Sequence, residues 1–171
     1  MVSFVKNSKD SWIINTGQSK TLNIKYQYYS NELNAGSTYV SEDMLYVNPV
    51  NCFIYSKEYL NSSIEIEIDI PEDWKIATSL NVSDRKLTAD SFDALFDAPF
   101  ICSNSLLKKS YTVHGISFNI WFNGLKEVPW EKILHDFEKF TSKQIEDFGE
   151  FPSKEFHFLF HTPPFKAYHG V

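Results

Sequence analysis

Residues 63–70 read Ser-Ile-Glu-Ile-Glu-Ile-Asp-Ile and are followed at once by Pro71. Ile64, Ile66, Ile68 and Ile70 share one parity, and Glu65, Glu67 and Asp69 share the other. No helix tolerates this pattern, because a 3.6-residue period would scatter the isoleucines around its circumference. A β-strand puts them all on one face, so the segment is a strand with one packed side and one wet side, as in an antiparallel sheet. Pro71 has no N–H to give a ladder and ends it.

Other segments repeat the theme. Trp12-Ile13-Ile14 reads as a short strand. Over 21–29, Leu22, Ile24, Tyr26 and Tyr28 alternate with Asn23, Lys25 and Gln27, which predicts a half-buried strand. Residues 31–37, with Asn34-Ala35-Gly36, form a loop. Tyr39–Val47 fits neither period cleanly, and Cys52-Phe53-Ile54-Tyr55 reads as a short apolar strand. Tyr111 to Phe122 reads as one long strand whose apolar parity switches at His114-Gly115, where glycine suits a bulge. Glu155–His161 is another strand, with Phe156, Phe158 and Phe160 on one face.

Two helices are expected. A short one starts at Thr88 as N-cap, with Leu87 and Phe92 as a hydrophobic staple. It ends near Asp97, because Pro99 disfavours helix at Ala98. The long one spans 129–148. Pro129 opens it, and Gly149 and Pro152 follow it. Trp130, Ile133, Leu134, Phe137, Phe140, Ile145 and Phe148 form its apolar stripe. The predicted fold is therefore mostly β with an α+β C-terminal part. An antiparallel sandwich or sheet domain, about 1–104, precedes a strand–helix–strand unit, about 105–161. One helix cannot cover both faces of that unit's sheet.

Composition narrows the function. The chain has 15 Phe and 9 Tyr among 171 residues, enough to build a core. Its net charge is −6 with scattered lysines, which argues against a nucleic-acid partner. No apolar run reaches the ~20 residues of a membrane helix. The first residues lack a basic region followed by an apolar stretch, so no signal peptide is visible. The chain reads as soluble, and cytoplasmic and exported locations both stay open. Cys52 and Cys102 form neither a zinc-ligand pair nor a redox motif. They read as two buried thiols, with a disulfide as the alternative.

The candidate chemistry is sparse. His157 and His161 form His-Phe-Leu-Phe-His, superficially like the zinc motif H-E-x-x-H. That motif works on a helix, where residues four apart converge on one metal. On a strand they stand roughly 13 Å apart, and Phe158 replaces the general-base Glu. A structural role follows for both. His135 and Asp136 read as a solvated helix face. Glu65, Glu67 and Asp69 read as a solvated strand face. There is no Gly-x-Ser-x-Gly elbow and no glycine-rich phosphate loop.

Three stretches carry a resemblance. The first is Ile70-Pro71-Glu72-Asp73-Trp74-Lys75-Ile76-Ala77-Thr78-Ser79-Leu80. The second runs from Leu87-Thr88-Ala89-Asp90 through Phe92-Asp93-Ala94-Leu95-Phe96-Asp97 to Ala98-Pro99-Phe100. The third is Tyr168-His169-Gly170-Val171. In this order they resemble the glycyl aminopeptidase family of gluzincin-type zinc metallopeptidases. The resemblance implies a partial N-terminal β domain over 1–104 and, over 105–171, the beginning of a thermolysin-like catalytic domain. It places H-E-x-x-H and the downstream Glu ligand beyond Val171, and further N-terminal strands ahead of Trp12. By that reading this chain is non-catalytic, has no cofactor of its own, and walls the cleft of a zinc-dependent parent that releases Gly or Ala. His169, Gly170 and Val171 fall in the family's substrate-binding segment, where His169 replaces the commoner glycine. The implied partners are the rest of the catalytic domain and, in the parent, a peptide substrate. Exposed edges would permit a non-native homodimer. The alternative is an autonomous β-sandwich module binding carbohydrate or protein.

Overall fold

The computed structural model describes residues 2–164 and Lys166. The protein is mostly β, and nearly all its strand pairs are antiparallel. Twelve strands run in chain order among the described residues: β1 Phe4–Lys6, β2 Trp12–Ile14, β3 Tyr39–Val40, β4 Leu45–Val47, β5 Ile64–Glu67, β6 Lys75–Ala77, β7 Asn81–Ser83, β8 Lys86–Ala89, β9 Phe100–Ser103, β10 Leu107–Val113, β11 Ile116–Asn123 and β12 Glu155–His161. The helices are α1 Pro49–Cys52, α2 Phe92–Phe96 and α3 Trp130–Phe148. No described helix is long and apolar enough to cross a membrane.

The strands form sheets ordered β1-β2, β3-β4-β9-β6, β5-β8-β7 and β10-β11-β12. The four-stranded sheet is the middle layer. From β4 and β9, Val47, Phe100 and Cys102 face Ile68, Ile70 and Leu87 of the β5-β8-β7 side. The opposite parity of the same segments, Met44 and Ile101, joins Ala77 and Leu106 against Trp121 and Leu159 of the third sheet. Strand β9 is buried at every residue, as a strand covered on both faces must be. Burying Leu87 or Phe100 completely contributes about 2–3 kcal/mol each.

The strand expected over 63–70 is shorter, Ile64–Glu67, and ends before Pro71, but the alternation of burial continues past it. Ile68 and Ile70 are buried while Glu65, Glu67 and Asp69 are exposed. Elsewhere the structure corrects the reading. Residues 21–29 pair with no strand, and Leu22, Ile24, Tyr26 and Tyr28 stay exposed. A period-2 pattern makes a strand only where a neighbour takes up its ladder. Cys52–Tyr55 is not a strand, because Pro49 at the first helical position starts α1 and Cys52 closes it. Thr88 lies in β8, where Leu87 is wholly buried. The helix starts later, with Ser91 Oγ accepting from the Ala94 N–H at 3.1 Å. Leu87 and Phe92 are therefore no staple. The helix does end at Phe96, with Asp97 as its C-cap.

Tyr111–Phe122 is a hairpin rather than one strand. Val113 pairs with Ile116, and His114 and Gly115 form a two-residue turn with φ of 50° and 80°. Such a turn matches the twist of its flanking strands and favours glycine at a positive φ. It also keeps residues 113 and 116 opposite each other on one face. The parity switch is thus the product of the hairpin, and Tyr111 stacks on Phe118 at 5.2 Å.

Strand β12 then pairs parallel to β11, in register Ser117↔Glu155 through Asn123↔His161, with α3 as the crossover. Helix α3 matches expectation closely, with Pro129 at its N-cap and Gly149 at its C-cap. Its stripe is only partly used. Phe137 packs edge-on to Phe158 at 5.0 Å and Trp130 to Phe122 at 5.7 Å. Phe140 and Phe148 remain 48% and 84% exposed, so apolar surface of α3 is left uncovered. Thr141 is buried instead, bonding Phe137 O at 2.8 Å. The second face of this sheet is covered by the four-stranded sheet.

Candidate functional site

The histidines of β12 lie on its inner face, opposite Phe156, Phe158 and Phe160. Their neighbours across the parallel register are Asn119 and Asn123. The indole N–H of Trp121 can only donate. It reaches Nδ1 of His157 at 3.2 Å, so the ring proton sits on Nε2 and is donated to Glu155 Oε1 at 2.8 Å. The same oxygen accepts from Asn119 Nδ2 at 2.6 Å, and Asn119 Oδ1 accepts from Ser110 Oγ at 2.7 Å. The chain Ser110–Asn119–Glu155–His157–Trp121 is thus linked donor to acceptor, with Asn119 Nδ2 and His157 Nε2, 3.1 Å apart, as two N–H groups sharing the one Glu155 oxygen. Lys108 Nζ caps the network, 4.7 Å above the Trp121 ring.

Burial pushes the His157 imidazolium down in pKa, against the opposing pull of Glu155. The Glu155 carboxyl is held below the usual range, first by its bond from His157 and then with help from Asn119. His161 is likewise pushed down, by burial. Its Nδ1 lies 3.1 Å from Asn123 Nδ2, and Asn123 Oδ1 accepts from Ser105 Oγ at 2.6 Å. Asn123 Nδ2 also lies 2.8 Å from Met44 Sδ, tying β11 to the middle layer.

His157 and His161 therefore stand on a strand, as expected, and both nitrogens of His157 are engaged. Among the described residues no group of three or more His, Cys, Asp or Glu side chains could hold a metal ion. His135 and Asp136 are exposed, and Asp136 pairs with Lys132 at 2.6 Å. Glu65 bonds Lys86 at 2.9 Å on the open strand face. Cys52 and Cys102 are both free thiols, and burial lifts that of Cys102 to about 12. His169, Gly170 and Val171 lie outside the described residues.

The polar partners on β11 and β12 escape a reading of the sequence. Asn119, Trp121 and Asn123 alternate with Phe118, Ile120 and Phe122, which marks them as an outer face. That face is inner because the middle sheet covers it. Gly124 is a further point of precision. Its φ is +87°, and a Cβ there would stand 2.5 Å from the Thr162 carbonyl oxygen. The chain leaving β12 crosses Gly124 and is held by the Thr162 N–H donating to Asn123 O at 3.0 Å.

Residues 1–104 match the peptidase M61 N-terminal domain. The chain belongs to this peptidase M61 N-terminal domain family. The match takes in the middle sheet and the β5-β8-β7 sheet. Among solved structures, the chain is similar to the aminopeptidase N family protein from Idiomarina loihiensis, with a TM-score of 0.78 and 23% identity. That likeness covers 94% of this chain and 28% of the other, so it extends past the matched domain into the strand–helix–strand unit. At this identity it establishes a shared fold. No curated protein matches the chain.

Proposed function

We propose that this M61 N-terminal chain is the non-catalytic leading part of a zinc-dependent aminopeptidase. In this reading residues 1–104 form an N-terminal β domain that walls the active-site cleft. Residues 105–171 begin the catalytic domain, and the zinc ligands follow in the longer polypeptide. His169, Gly170 and Val171 contribute to the substrate-binding segment there. The parent releases small N-terminal residues such as Gly or Ala, with zinc polarising the scissile carbonyl and activating water.

The observation that carries the reading is the match over residues 1–104 together with a fold likeness that continues beyond them. Uncovered apolar surface supports it. Phe148 of α3, Phe156 of β12 and both faces of the β1-β2 ribbon are exposed, and an isolated ribbon is marginal by itself. Such surfaces suit contact with more polypeptide. The rival reading, a carbohydrate- or protein-binding sandwich, would call for an aromatic row on a sheet face. The exposed Tyr26, Tyr28 and Tyr29 lie on an unpaired segment instead.

Aminopeptidase assays on glycyl and alanyl substrates, run on the longer polypeptide and on residues 1–171, test the proposal. Release of Gly or Ala by the longer protein only is the expected result. Turnover by residues 1–171, or none by the longer protein, refutes it.

A further inference from the structure

We infer that His157 forms an acid-releasable clasp that holds the inner face of β12 against the middle sheet, with His161 as its weaker second half. The clasp works only while the imidazole is neutral. Nδ1 of His157 is an acceptor for the Trp121 N–H at 3.2 Å. Protonation puts a second N–H on that line, and the indole has no lone pair with which to answer. Two donors then face each other at a side chain only 9% exposed. Trp121 and Leu159, the flanking residues on this face, pack on Met44, Ala77, Ile101 and Leu106. Displacing the indole therefore loosens the contact between the third sheet and the middle one.

His161 repeats the arrangement two pleat repeats further on, with Nδ1 facing Asn123 Nδ2 at 3.1 Å. Here the partner is an amide, which can reverse and offer its oxygen, so this half yields less. The charged groups around His157 are Glu155 on its own strand and Lys108 on β10. Glu155 bonds Nε2 in either protonation state, while Lys108 repels an added charge. The middle sheet presents Tyr39 and Tyr46, and burial pushes the Tyr46 phenol up. The His161 shift comes from burial, with no charged group contributing among the described residues.

The direction in pH follows. A histidine depressed in the folded state lets the unfolded or opened state bind the extra proton first. Protection is full above about pH 6.5 and falls as pH drops towards the folded value.

The experiment is amide hydrogen exchange of β11 and β12 in residues 1–171 at pH 7.5 and 5.5, corrected for the intrinsic rate. Wild type should lose protection at pH 5.5, by up to the roughly tenfold that one histidine charging only in the opened state allows. His157→Asn keeps an acceptor near the Nδ1 position without titrating, and should lose less than about twofold from this site. Wild-type protection that is flat in pH, or an equal loss in the variant, overturns the clasp. Should the variant not fold, the Cε1 proton resonance of His157 in wild type decides the matter. A midpoint below the ordinary histidine value supports the clasp, and one at or above it overturns it.

Discussion

Replacing Gly124 by alanine separates two costs that usually arrive together. The φ of +87° strains any residue with a Cβ, by about 1–2 kcal/mol. The new methyl would also stand 2.5 Å from the Thr162 carbonyl oxygen and 3.4 Å from its carbon. Those are backbone atoms, so relief requires moving the chain that leaves β12. That movement strains the Thr162 N–H bond to Asn123 O, worth about 0.5–1.5 kcal/mol. Alanine recovers about 0.4–1 kcal/mol by stiffening the unfolded chain. The net expectation is a loss of about 0.5–3 kcal/mol. Gly115→Ala is the control, with φ of +80° and nothing within 4 Å of an added Cβ. It should lose about 1 kcal/mol less than Gly124→Ala, the share owed to the Thr162 bond. Urea unfolding reads both as midpoint shifts at unchanged slope. Equal shifts in the two variants would refute the close approach at Thr162.

Phe100→Ala removes a 2%-exposed ring from between the middle and β5-β8-β7 sheets and should cost about 3–5 kcal/mol in urea unfolding. Ser91→Ala removes the oxygen that accepts from Ala94 N–H at the start of α2 and should cost about 1 kcal/mol, measured the same way. Cys102, buried and lifted to about 12, should resist iodoacetamide at pH 8 in the folded protein. Cys52 should react first, and peptide mapping of the alkylated chain distinguishes the two.

Much of the fold was legible where a local pattern and its tertiary surroundings agree. Ile64–Ile70, α3 with its glycine stop, and β12 all announce themselves through one clean period. The failures share a cause, which is information held by a neighbour. Residues 21–29 alternate as a strand does, but alternation cannot show whether a ladder partner exists. Thr88 and Ser91 are equally good caps by type, and the choice is made by Leu87, which the core claims for β8. The parity switch at His114-Gly115 fits both a bulge and a two-residue turn. Only the pairing Val113↔Ile116 tells them apart. The strand reading of His157 and His161 was available from the phenylalanines between them. Their tautomers were not, because those depend on Trp121, Asn119 and Asn123 from a strand thirty-odd positions earlier.

Zinc content of purified residues 1–171 bears most directly on the claim that this chain leads a metallopeptidase without carrying its metal. The measurement is made after dialysis against a weak chelator, beside the His157→Asn/His161→Asn variant. The account predicts far less than one zinc per chain in both proteins. One zinc per chain in the wild type, lost in the variant, would contradict it and make the two histidines of β12 metal ligands after all.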